Sequence, residues 1–185
     1  MNLQLLSLLI VSGLLLGATV TDLRSRRIPN TLVLYGSALG LCFQALAPAS
    51  GAGLFPGSEP GLLAGLLGGL TGLGLLLPLY LLRVMGAGDV KLVAMTGVWL
   101  GVDNVWHATL CTLLAGGVLA VVVALASGAL RQAVHNTMRV VHSALLRGAS
   151  AGMLVQAPVQ TTGRLPYAVA IATGTGVEMA RLLAA

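Results

Sequence analysis

Charge is what this sequence has least of. Only 8% of its 185 residues are charged, against 57% that are hydrophobic. A soluble domain carries charge on about a quarter of its positions. Too little polar surface is present to coat a globule in water, and lipid is the solvent that suits this surface. Cysteines number two, Cys42 and Cys111. Both fall within apolar stretches and read as small core hydrophobes, which excludes a disulfide framework and a structural metal site. The net charge of +5 does not point to nucleic acid. The basic residues flank apolar runs, where they would meet lipid headgroups.

What is present is a series of long apolar runs. In lipid the backbone must satisfy its own hydrogen bonds, so such runs are helices or a closed barrel. Barrel strands would alternate polar and apolar residues, and these runs do not. The expected fold is therefore all-α, a single polytopic membrane domain over residues 1–185 with six apolar segments: 3–21, 31–47, 62–82, 90–100, 105–126 and 165–183. A spanning helix needs about 20 residues. The fourth segment falls short, so it either starts earlier, near Gly86, or occupies a thinned or water-filled part of the membrane. The first segment has no basic residue before its apolar stretch and no small-x-small cleavage site, so it reads as a retained helix.

The basic residues set an orientation. With the amino terminus outside, Arg24, Arg26, Arg27, Arg83, Lys91, Arg131, Arg139, Arg147 and Arg164 all fall inside. That is nine of the ten basic residues, leaving Arg181. Residues 130–147 read as an amphipathic helix on the cytoplasmic surface, with Val134, Met138, Val141 and Leu145 on one face and Arg131, His135, Arg139 and His142 on another. Glycines recur at four-residue spacing, as in Gly61, Gly65 and Gly69, Gly13 and Gly17, Gly36 and Gly40, and Gly97 and Gly101. That spacing lets helix backbones approach closely.

Only five acidic residues occur. Ionisable groups near a bilayer are costly and mark function. Glu59 and Asp103 have outside loops to occupy, and Glu178 lies one turn before Arg181, where a local ion pair accounts for it. Asp22 and Asp89 remain. They stand 67 positions apart, yet charge counting puts both at the cytoplasmic face. Asp22 follows the first segment in TDLRSRRIPN, and Asp89 opens the fourth in GAGDVKL. Two carboxylates brought close cannot both ionise cheaply. One can activate a water while the other donates a proton. Gly86 and Gly88 clear the space beside Asp89 for an extended substrate backbone. Pro29 forces an extended or turn conformation before the second segment, Asn30 is expected to cap it, and Lys91 is expected to snorkel to the interface. The bland alternatives are an Asp22 paired with Arg24 or Arg26, and an Asp89 that merely complements a helix dipole.

These residues resemble the prepilin peptidase family, the GxGD-type aspartic proteases of bacterial membranes. Asp22, Arg24, Ile28, Pro29 and Asn30 match its D-x-R-x-x-x-I-P-N element, and Gly86, Gly88, Asp89 and Lys91 match G-x-G-D-x-K. A weaker likeness is LPYAVAIATG, residues 165–174. The resemblance implies an inner-membrane peptidase with Asp22 and Asp89 catalytic and no cofactor. Its partners would be membrane lipid and a prepilin or pseudopilin precursor, whose basic leader is cut at the cytoplasmic face just before the precursor's hydrophobic helix. Longer members also methylate the new amino terminus, using paired C-x-x-C motifs. Here eight residues separate Asp22 from Thr31 and no C-x-x-C occurs, which is similar to the peptidase-only branch of Flp-type, tight-adherence pili. Three other readings compete. A presenilin-type protease shares GxGD but has a tyrosine where Thr21 stands, and lacks I-P-N. A proton-coupled transporter would use the same aspartates. A secretion-assembly subunit would need neither.

Overall fold

The computed structural model describes residues 3–46, 61–82, 84–126 and 166–184, with the single positions 55, 128 and 138. The expected amphipathic helix over 130–147, with His135, His142 and its arginines, lies outside the described residues apart from Met138. So do Arg83, Arg164, Glu59 and most of the glycine- and proline-rich segment 48–60. Every described element is helical: α1 (Leu3–Ser25), α2 (Asn30–Leu46), α3 (Leu62–Leu81), α4 (Ala87–Ala126) and α5 (Tyr167–Ala184). Three of them, α1, α3 and α4, are long and apolar enough to cross a membrane. The chain divides into two compact units, residues 1–116 with 166–185, and residues 117–165. Every site residue lies in the first.

α1 runs four residues further than its apolar stretch and so carries Asp22 within its last turn. Arg26 then adopts a left-handed conformation, φ 53, and its N–H bonds back to the Asp22 carbonyl at 2.8 Å. This closes the helix with one bond across the terminal turn. Pro29 stands just before α2, and its carbonyl takes the N–H of Val33 at 3.4 Å. Asn30 is therefore not the cap expected of it. It is the first helical residue, and its side chain is engaged elsewhere.

α4 merges the fourth and fifth expected segments, but its backbone breaks at Gly101, φ 78, ψ 177. A side chain is essentially barred from that conformation. The residues on either side fold back on one another. A straight helix would separate residues 93 and 105 by about 18 Å. Instead, a Cβ built at Gly72 would touch both the Val93 carbonyl, at 2.7 Å, and Val105 Cγ2, at 3.2 Å. α4 is thus two arms, 87–100 and 102–126.

The first arm is the centre of the core. Leu92, Met95, Trp99 and Leu100 are fully buried. α2 packs against it through Gly36, opposite Met95, and Gly40, opposite Trp99. The Trp99 indole N–H donates to the Gly36 carbonyl at 3.0 Å. α3 approaches more closely still. A Cβ at Gly68 would collide with the Gly97 carbonyl, and one at Gly97 with the Gly68 carbonyl. The glycine spacing has its packing role at these points, whereas Gly13 faces open space. The break at Gly101 frees helix carbonyls, and Gln44 of α2 compensates. Its amide donates to the Val98 and Trp99 carbonyls at 3.2 and 3.3 Å. The first arm is short, ending at the Gly101 break, and protein encloses most of it.

The outward faces carry exposed leucines and valines on α1, α3 and the second arm of α4. Cys42 is exposed on α2, which corrects the expectation that it is a core residue. Cys111 is half-buried in the second arm. Asp103 lies not in a loop but on the first turn after the Gly101 break, where it is exposed. Glu178 is fully buried and paired with Arg181, as its spacing implied.

Candidate active site

Asp22 is 7% exposed. The bland alternative paired it with Arg24 or Arg26, and among the described residues neither bonds to it. Among the described residues, Arg24 and Arg26 are exposed and form no ion pair. Its Oδ2 instead accepts the backbone N–H of Ala168 at 3.2 Å. Ala168 is the second residue of α5, so the carboxylate satisfies one of the free donors at a helix start and sits at the positive end of its dipole. Thr19, one turn earlier on α1, donates to the Ala168 carbonyl at 3.4 Å. Helix α5 is thereby held to α1 at the level of the aspartate.

Asp89 lies in the first turn of α4. Its N–H bonds to the Gly86 carbonyl at 3.2 Å, and its Oδ2 accepts the Gly86 N–H at 3.3 Å. This is the reciprocal pattern of an acid three residues inside a helix start. The bland reading of Asp89 as a helix-terminal carboxylate thus describes its hydrogen bonds correctly. It does not account for the opening beside it, since the side chain is only half-buried next to the exposed Gly86.

Two contacts join the two sequence elements. Ile28 packs its Cβ 3.4 Å from where a Gly88 side chain would begin. The Lys91 ammonium donates to Asn30 Oδ1 at 3.3 Å. Lys91 is exposed but tied to the start of α2 rather than simply extended toward headgroups. Gly86 is also exposed, leaving the approach to Asp89 unobstructed by a side chain. Of the expected residues, Asp22, Asp89, Gly86, Gly88, Pro29, Asn30 and Lys91 form one group at the ends of α1, α2 and α4. Arg24 is the exception, exposed and, among the described residues, without a hydrogen bond or ion pair.

Two residues of this group carried no expected role. Ala168 supplies the donor to Asp22, and Tyr167 precedes it as the first residue of α5. Both belong to the LPYAVAIATG stretch. The signal that could have singled them out is Pro166, whose carbonyl takes the Val169 N–H at 3.2 Å and starts α5. A helix start points backbone donors at any nearby acid.

Chemically, the group offers two carboxyl groups at one end of the helices, one sequestered and one more open. Among the described residues, no cluster of three or more histidine, cysteine or acidic side chains occurs. A model of the type IV leader peptidase family matches residues 9–125. The match runs from α1 into the second arm of α4 and includes both aspartates. It stops short of α5. No curated protein and no solved structure matches the chain.

Proposed function

This chain belongs to the type IV leader peptidase family, whose members process prepilin-type substrates, and we propose that it is an aspartic endopeptidase using Asp22 and Asp89. The observation that carries this reading is that the end of α1 with the start of α2, which follows Asp22, is tied to the start of α4, which bears Asp89, by the Ile28–Gly88 and Asn30–Lys91 contacts. One ionised carboxylate takes a proton from water. The hydroxide adds to the scissile carbonyl carbon. The other carboxyl, protonated, gives its proton to the departing amide nitrogen as the C–N bond breaks.

The substrate is a prepilin-like precursor with a basic leader, cut at the cytoplasmic membrane face before its hydrophobic helix. The helices form a multi-pass bundle in the inner membrane with the amino terminus outside. The six apolar segments each cross or enter it, with the two arms of α4 counted separately. Gly86 and Gly88 admit the extended precursor backbone beside Asp89. The short Asp22-to-α2 connection and the absence of C-x-x-C support a peptidase without methyltransferase activity, of the Flp type.

The test is co-expression with a candidate prepilin precursor, read as a mobility shift on a gel. Asp22→Asn and Asp89→Asn are each expected to abolish cleavage while the protein still inserts. Full processing by either variant removes the aspartic protease reading.

A further inference from the structure

Helix α5 lies outside the matched family region, yet it makes the one hydrogen bond that the Asp22 carboxylate receives from another element among the described residues. What fixes α5 in register is visible in two places on the second arm of α4. A Cβ at Gly174 would strike the backbone and hydroxyl of Thr112. A Cβ at Gly116 would stand 2.5 Å from the Tyr167 hydroxyl and 2.7 Å from its ring carbon Cζ. The Tyr167 side chain therefore rests directly on the backbone of α4, in a seat that only glycine provides. Tyr167 immediately precedes Ala168.

From this we infer that Tyr167 is a positioning residue: seated on Gly116, it holds the first turn of α5 so that the Ala168 N–H binds Asp22 Oδ2 and leaves Oδ1 for the attacking water. The inference rests on the proposed catalytic role of Asp22. An acid that must meet both a water and a second carboxyl is sensitive to its angle as much as to its presence. A displacement of about 1 Å costs on the order of a hundredfold in rate. The hydroxyl and the ring atoms Cζ and Cε2 all meet this seat, and the ring atoms keep the contact when the hydroxyl is removed, so packing does the holding.

The experiment measures kcat and KM for detergent-purified variants on a quenched-fluorescent peptide spanning the leader junction of a prepilin that the wild type cleaves. Tyr167→Ala is expected to lower kcat on the order of a hundredfold with KM within about twofold. Tyr167→Phe should stay near wild type. Gly116→Ala should lower kcat like Tyr167→Ala, and the double variant should be no worse than Tyr167→Ala alone, because both act through one contact. Should Tyr167→Ala fail to insert, Tyr167→Leu, which keeps bulk but not the reach of the ring, takes its place. An unimpaired kcat in Tyr167→Ala or Tyr167→Leu, a loss in Tyr167→Phe equal to that in Tyr167→Ala, or additive losses in the double variant would each overturn the inference. Asp22→Asn run alongside separates the two levels. If it cleaves, the catalytic reading itself has failed; if it is dead while Tyr167→Ala is unimpaired, only the positioning role has.

Discussion

Both aspartates are bound by backbone N–H groups at helix starts, and neither is neutralised by a basic side chain among the described residues. Such donors hold a carboxylate in place without removing its charge, as an ion pair with Arg24 or Arg26 would do. Gly88 tests whether space beside Asp89 matters for substrate. A Cβ there would meet Ile28 at 3.4 Å, an ordinary contact, so Gly88→Ala is expected to fold with stability within about 0.5 kcal/mol of wild type. Its activity on a precursor should nonetheless fall. A Gly88→Ala enzyme that cleaves at the wild-type rate would show that the substrate does not pass over this position. Asn30 and Lys91 are both exposed, so Asn30→Ala should cost no more than about 1 kcal/mol in thermal unfolding. The two acids themselves were legible from sequence, because only five acidic residues exist and the others have simpler explanations. Ala168 was not, since a backbone donor has no side-chain signature. Neither was the Asn30–Lys91 bond, which depends on two helix starts meeting in space.

At the scale of elements, the first arm of α4 explains most of the packing. Its 14 residues from Ala87 to Leu100 rise about 21 Å, too little for a hydrocarbon core of about 30 Å. Hydrophobic periodicity located this segment but could not tell a span in lipid from a helix wrapped in protein, because both are apolar all round. The glycine spacing indicated close approach without naming the partner helix. The structure supplies it: Gly36 and Gly40 of α2, and Gly65, Gly68, Gly69 and Gly72 of α3, all face this one arm. Three substitutions follow from the geometry. Gly101→Ala forces a side chain into a backbone conformation that essentially only glycine adopts, at a cost of about 1–3 kcal/mol. Gly68→Ala drives a methyl into the Gly97 carbonyl and should cost about 1–3 kcal/mol through overpacking. Gln44→Ala should cost a similar amount by leaving the Val98 and Trp99 carbonyls without their donor. Thermal unfolding in detergent measures all three. Gln44→Ala at wild-type stability would show that the freed carbonyls find other donors.

For the molecule as a whole, the site makes sense only if the end of α1 and the start of α4 share one side of the bilayer. Contact geometry brings the ends together, but contact alone does not say which compartment they face. The proposed orientation rests on the basic residues: Arg24, Arg26 and Arg27 follow α1, and Lys91 opens α4, whereas Asp103 follows the turn, and lysine and arginine are in excess on the cytoplasmic side of membrane proteins. A substrate with a basic leader held back on that side would arrive where both carboxyl groups wait. Single cysteines introduced in a variant lacking Cys42 and Cys111 provide the measurement. Ser25→Cys and Val84→Cys, both at exposed positions, should react with a membrane-impermeant thiol reagent only after the inner face is opened. Asp103→Cys should react from outside in intact cells. If Ser25→Cys and Val84→Cys were labelled from opposite sides, α1 and α4 could not bring their acids to one water, and the hydrolytic mechanism would be lost however well each aspartate fits its family motif.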